Sequence, residues 1–127
     1  MGKAVTTKTA KKNMLLARAG MLPTLPKVKW VAFGDGGIDA NGDVRTPYED
    51  QESLNAEISR KEVQSKEVVS DTEIVYKVTL AAGELTGKKI SEIALIDENG
   101  NVITIKTFRP KVKDEDVSLT FSISDVM

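Results

Sequence analysis

Apolar and polar residues alternate one by one in several short segments of residues 27–126, which is the period of a half-buried β-strand. Residues 72–81 read TEIVYKVTLA, and residues 116–126 read DVSLTFSISDV. In both segments every second residue is large and apolar, and the last segment carries mostly serine and threonine on its other face. The pattern predicts antiparallel strands with one face on a core.

Three further segments have strand character. The run KVKWVAF at 27–33 becomes apolar on both faces toward its end, so we expect it to be buried on both sides. Residues 57–69 are more polar and predict an exposed strand or a pair of strands. Residues 90–108 contain two β-rich runs joined at Asp97–Gly100, where Asn-Gly supplies the positive φ of a hairpin turn.

The N-terminal segment 3–19 has helical spacing instead. Its residues Ala10, Met14 and Ala17 recur at i, i+4 and i+7 with Leu15 beside them. The basic residues lie elsewhere, at Lys8, Lys11, Lys12 and Arg18. Gly20 is placed to cap the C-terminal end. We therefore predict an α+β, mostly β fold in a single domain, residues 1–127. It comprises an antiparallel β-sandwich or sheet of five or six strands with an N-terminal amphipathic helix packed on it.

Composition limits the chemistry. The chain has no cysteine and no histidine, which excludes disulfides, thiol nucleophiles and imidazole-based triads. Its 18 basic and 19 acidic residues balance, which argues against a general nucleic-acid binder. No apolar run has the length of a membrane span. We expect a non-enzymatic protein without cofactor, nucleic-acid or membrane partner, made in the cytoplasm.

The segment FGDGGIDANGD, residues 33–43, holds four glycines, three aspartates and one asparagine. Asp39, Asn41 and Asp43 alternate as the first ligands of an EF-hand calcium loop do, but Gly42 falls at the fourth position instead of the sixth. A weak calcium site stays open, and a turn is favoured. The motif Ile-Asp-x-Asn-Gly occurs at both 38–42 and 96–100, which suggests two hairpin tips with one turn chemistry.

Two other segments offer candidate sites. GELTGKK at 83–89 lacks the glycine spacing of a P-loop, so we interpret it as a turn. The acids Glu49, Asp50 and Glu52 form a cluster, but in a polar segment they favour a solvated loop over a catalytic pair. Two aromatic residues could stack on a sugar or a base, although a lone tryptophan in an apolar run is more often core; these are Trp30 and Tyr48.

Four blocks, in this order and spacing, resemble the phage tail-collar fibre protein family. They are LLARAG, WVAFGDGG, LNAEISRKEV and ISEIALIDENGNVI. The resemblance extends from about residue 13 to residue 110. Its most specific parts are the GDGG after a strand and the IALID block with its Asn-Gly turn.

The resemblance implies a structural domain that joins a tail fibre to the baseplate of a contractile tail, as a homotrimer. Its partners are itself and baseplate or fibre proteins, and it ends up in the tail particle. It also implies that Gly34, Gly36 and Gly37 provide positive φ after a core strand while aspartates such as Asp35 cap the turn. Turn residues of the second block have the same role: Asp97, Asn99 and Gly100.

Family fibres continue into a shaft and a receptor-binding tip, whereas this sequence stops at Met127. We therefore expect an attachment domain or adaptor in which host recognition is absent. Edge strands at 57–69 and 116–126 offer unpaired backbone groups to a neighbouring subunit. The alternative from another class is a small carbohydrate-binding or calcium-dependent module that uses the Gly/Asp loop and Tyr48.

Overall fold

The computed structural model describes residues 2–127. Over this range the chain forms eight strands and one helix. In chain order these are β1 (Lys3–Thr6), α1 (Lys8–Arg18), β2 (Val28–Gly34), β3 (Glu57–Glu62), β4 (Ser65–Ser70), β5 (Glu73–Leu80), β6 (Lys89–Asp97), β7 (Val102–Val112) and β8 (Leu119–Val126).

The strands form two sheets in which every pair is antiparallel. The larger sheet has the order β1-β7-β6-β2-β3, and the smaller sheet has the order β4-β5-β8. The two sheets pack face to face and α1 lies against β7. The predicted fold class, mostly β with antiparallel sheets and a short N-terminal helix, is confirmed.

One core lies between the two sheets. Val31 and Phe33 of β2 point into it, as do Val78 of β5 and Phe121 of β8. The rings of Phe33 and Phe121 meet edge to face with centroids 5.3 Å apart. Alternation along each strand therefore places the apolar half of the smaller sheet on the larger one.

A second core lies on the opposite face of the larger sheet. It contains Ala32 of β2, Ala94 and Ile96 of β6, and Leu54 from the long connection 35–56 between β2 and β3. This connection covers the second core, where another sheet or a layer of helices would otherwise lie. The expectation that β2 is buried on both sides is confirmed, since Val31, Ala32 and Phe33 are all fully buried.

The predicted helix at 3–19 is wrong in its first turn. Residues Lys3–Thr6 are extended and pair with Thr104–Thr107 of β7, so the helix begins only at Lys8. Thr7 follows the strand and caps the helix. The β-branched residues at positions 5–7 favour an extended backbone, and the edge of β7 supplies hydrogen-bond partners that a helix would not use. No helix within residues 2–127 could span a membrane.

The polar segment 57–69 is a pair of strands, one in each sheet. β3 is an edge of the larger sheet and β4 is an edge of the smaller one. β8 forms the other edge of the smaller sheet, so both segments expected to be edge strands lie at sheet edges. Residues 2–127 form eight strands instead of the predicted five or six, because periodicity did not reveal β1 or separate β3 from β4.

Thr7 is fully buried at the junction of β1 and α1. Its hydroxyl donates to the Val102 carbonyl at 2.6 Å and accepts from the Ala10 amide at 3.2 Å. We expect Thr7→Ala to lower the free energy of unfolding by about 2 kcal/mol, the sum of a lost helix cap and a lost buried hydrogen bond. Chemical denaturation would measure the loss. Thr9→Ala on the same helix is the control, and an equal loss there would contradict the capping role.

Candidate functional site

The site that the glycine-rich segment builds is centred on Glu92. This residue lies in the middle of β6 and is fully buried, although its neighbours in the strand are mostly apolar. A buried carboxylate without partners would be strongly unfavourable. Its environment must therefore supply hydrogen-bond donors.

Four N–H groups surround the Glu92 carboxylate. Oε1 accepts from the backbone N of Asn55 at 2.9 Å and from its Nδ2 at 3.3 Å. Oε2 accepts from the backbone N of Gly36 at 3.0 Å and of Ala56 at 2.8 Å. The neighbouring Ser91 Oγ accepts from the Gly37 amide at 2.9 Å. Two side chains of β6 thus hold both ends of the 35–56 connection.

The glycines are required by close approach. A Cβ on Gly34 would overlap the Glu92 carboxylate and lie 2.7 Å from the Ala56 carbonyl oxygen. A Cβ on Gly36 would lie 2.9 Å from Glu92 Oε2, and one on Gly37 would overlap the Ser91 carbonyl oxygen. Only the absence of side chains lets the loop reach the carboxylate.

The expectation that these three glycines have positive φ is wrong. Positive φ occurs at Gly20, Gly42, Gly83, Gly87 and Gly100. Gly34, Gly36 and Gly37 do not have positive φ, and the space beside β6 is what demands glycine at these positions. Asp35 lies at the bend, exposed, and its backbone N donates to the Ala56 carbonyl at 3.1 Å.

The two Ile-Asp-x-Asn-Gly motifs fold into the same turn. Asp39 Oδ1 accepts from the amides of Asn41 and Asp43 at 2.9 and 3.0 Å. Asp97 Oδ1 likewise accepts from the amides of Asn99 and Asn101, both at 2.9 Å.

Each turn is completed by the backbone. The glycine three residues after the aspartate, Gly42 or Gly100, donates its amide N–H to the backbone carbonyl of that aspartate at 3.0 Å. The φ angle is 83° at Gly42 and 86° at Gly100. In both turns one carboxylate oxygen of the aspartate is thus engaged by backbone amides. Within residues 2–127, no group of three acidic side chains has the spacing of a metal site.

The acidic cluster at 49–52 lies beside the basic helix. Asp50 Oδ1 is 2.9 Å from Lys8 Nζ, and Glu49 Oε2 is 2.8 Å from Lys11 Nζ. The hydrogen bond and charge of Lys11 lower the pKa of Glu49, and those of Asp50 raise the pKa of Lys8. With its pKa lowered, Glu49 is a poor general acid. Glu52 is exposed beside them.

The aromatic candidates have different surroundings. Trp30 packs against the second core, and Lys29 Nζ lies 5.0 Å from the centre of its ring. Tyr48 is 62% exposed in the 35–56 connection. The tryptophan is therefore occupied by packing and by a cation, while the tyrosine ring is accessible.

Two buried charged residues were not predicted from the sequence, namely Glu92 and Lys113. Only Glu92 has a recognisable sequence signal. It is the only acid inside the apolar run ISEIALI. A strand that is buried on both faces leaves such a side chain no access to water. Lys113 gave no signal because it lies in the polar segment PKVKDED. It is fully buried beneath the GELTGKK turn, and its Nζ donates to the Asp114 carbonyl at 3.0 Å.

The GELTGKK segment is a turn, as interpreted. Its Gly87 amide donates to the Lys113 carbonyl at 2.8 Å, which ties it to the chain after β7. Glu84 Oε1 lies 2.6 Å from Nζ of Lys61 in β3. The hydrogen bond from Lys61, together with a second one from the Ala81 amide, lowers the pKa of Glu84.

We expect Glu92→Gln to lower the free energy of unfolding by about 2–4 kcal/mol, because an amide NH₂ replaces an acceptor and faces N–H donors in a buried site. Urea denaturation of the wild type, this variant and the exposed control Glu52→Gln would measure it. Equal stability of Glu92→Gln and the control would contradict the role given to the carboxylate.

The helix–loop ion pair predicts a pH dependence. Because the folded pKa of Glu49 lies below its ordinary value of 4.5, the pair adds stability above that pH and loses it as the pH falls through the folded pKa. The melting temperature of Glu49→Gln should lie slightly below that of the wild type at pH 7, and the gap should close in acid and in high salt. A gap that widens in acid would contradict this sign.

Comparison with protein families gives one match that covers nearly the whole chain. The model of the phage tail-collar fibre protein family, N-terminal, matches residues 1–121 of the 127. Comparison with curated proteins finds no significant match.

Proposed function

The chain belongs to the phage tail-collar fibre protein family, and from this we propose that it attaches a tail fibre to the baseplate of a contractile tail. The observation that carries the proposal is the family match over residues 1–121, since the family is structural and its members form part of the tail particle. The chain contributes shape and contacts, not chemistry.

The Glu92 site suits such a role. Four N–H donors engage the carboxylate, so its oxygens are already occupied and serve to fix the loop. A domain that holds a fibre has to keep its surface in one arrangement while its partners move. Locking a 22-residue connection at both ends to the central strand β6 supports that requirement.

The chain acts as a homotrimer in this proposal. Four strands stand at sheet edges, namely β1, β3, β4 and β8, and their outward backbone groups are available to other subunits. Repeated identical contacts usually close into cyclic symmetry. The protein is made in the cytoplasm of the host bacterium and is then built into the tail.

Electron microscopy of tail particles from the source strain, labelled with an antibody and gold, tests the attachment role. Gold at the baseplate end of the tail is the expected result, and tails from a strain that lacks the gene are the control. Gold spread along the tail tube would contradict attachment at the baseplate. Unlabelled tails combined with glycan binding that Tyr48→Ala abolishes would favour the carbohydrate-binding alternative.

A further inference from the structure

The smaller sheet presents two edges of opposite character. At one edge, every residue of β4 is exposed, and Val68 and Val69 are 72% and 47% exposed. Exposed valines on an edge strand are a liability for a soluble monomer, since the edge also offers unpaired N–H and C=O groups. Soluble proteins usually cover or charge such an edge.

At the other edge, β8 carries an unsatisfied acceptor. Asp125 follows Phe121 and Ile123 on the face that points to the larger sheet, and its Oδ1 is buried without a hydrogen-bond partner in the described chain. Burial raises the pKa of Asp125. An acceptor in this state is free to take a donor from a neighbouring molecule.

We propose that β8 of one copy pairs with β4 of a second copy, so that the smaller sheets join head to tail and three copies close a ring. This rests on the homotrimer of the proposed function and names its interface. Each copy then covers one edge of its neighbour, and no edge of the smaller sheet stays open. Each edge is then occupied by a strand from a second copy of this chain.

We place the ring axis along the strands of the smaller sheet, and this sets the direction and level of the new strand pair. β4 and β8 both run antiparallel to β5, so they point the same way, and rotation about an axis along the strands keeps them parallel. Val75 of β5 is the register partner of both Glu67 in β4 and Ser124 in β8. With no displacement of neighbouring copies along the ring axis, Ser124 therefore lies opposite Glu67 of the next copy.

Charge complementarity supports this arrangement. Ile74 is likewise the shared partner of Val68 and Asp125, and Tyr76 is the shared partner of Lys66 and Ile123. The next copy's Lys66 thus falls diagonally beside Asp125 on the same face, within reach of a lysine side chain. Lys66 makes no ion pair within residues 2–127. One contact between copies would satisfy the orphaned carboxylate.

Pairing of β8 with β8 across a twofold axis is the simplest competing arrangement. It would leave β4 with Val68 and Val69 uncovered in both copies. It would also bring no lysine of β4 to Asp125. The head-to-tail pair is the arrangement that resolves both features at once.

Cysteine cross-linking tests the interface, because the chain has no native cysteine. In one copy Ser124 and Glu67 are separated by β5, so their Cα atoms are roughly 9–10 Å apart, too far for a disulfide, which needs less than about 7 Å. Across the proposed interface they are adjacent. Mild oxidation of the Ser124→Cys, Glu67→Cys double variant should shift the chain from the monomer band to a trimer band on a non-reducing gel, with nothing larger.

The controls separate the alternatives. Each single-cysteine variant should stay monomeric on the gel, and a dimer of Ser124→Cys alone would overturn the proposal in favour of β8–β8 pairing. Lys66→Asp should weaken the native trimer in light scattering, and adding Asp125→Lys should restore it. Lack of rescue would overturn the assignment of that ion pair.

Two further outcomes distinguish this inference from the proposed function. A wild-type trimer whose double-cysteine variant forms no disulfide would overturn the interface while leaving the trimer in place. A wild-type chain that stays monomeric at high concentration would overturn both the interface and the trimer. Attachment at the baseplate is judged by the gold label in either case.

Discussion

The position of the 35–56 connection on the larger sheet depends on one buried carboxylate. Glu92 lies on the central strand of that sheet, and its two oxygens are shared between the beginning and the end of the 35–56 connection. Apolar burial alone does not choose between positions of a loop, since it lacks direction. Hydrogen bonds to a charged group do have direction, so Glu92 determines where this connection lies on the second core.

The same requirement accounts for the composition of the loop. The approach to Glu92 is so close that Gly34, Gly36 and Gly37 exclude any side chain. The glycines of this segment thus pack around an acid 55 or more residues away in the sequence. In this segment the amides of Gly36 and Gly37 donate to side chains of β6, and the Asp39 carboxylate closes the turn that follows.

Much of the fold could be predicted because alternation survives wherever a strand has one core face, as in Tyr76 and Val78 of β5. The turn shared by Asp39 and Asp97 could also be predicted from the sequence, since it is built from five consecutive residues. Contacts between distant segments were not readable. Nothing local in Lys11 indicates that Glu49 is its partner, and the apolar run around Glu92 does not reveal which amides it meets.

The long separation of these contacts has a consequence for synthesis. The Gly36 amide lies 56 residues before Glu92, and the amides of Asn55 and Ala56 lie 37 and 36 residues before it. The whole connection is therefore synthesised before the acceptor that orders it. The first half of the domain must wait for β6, so folding is late, governed by non-local contacts, and vulnerable to strand pairing between nascent chains.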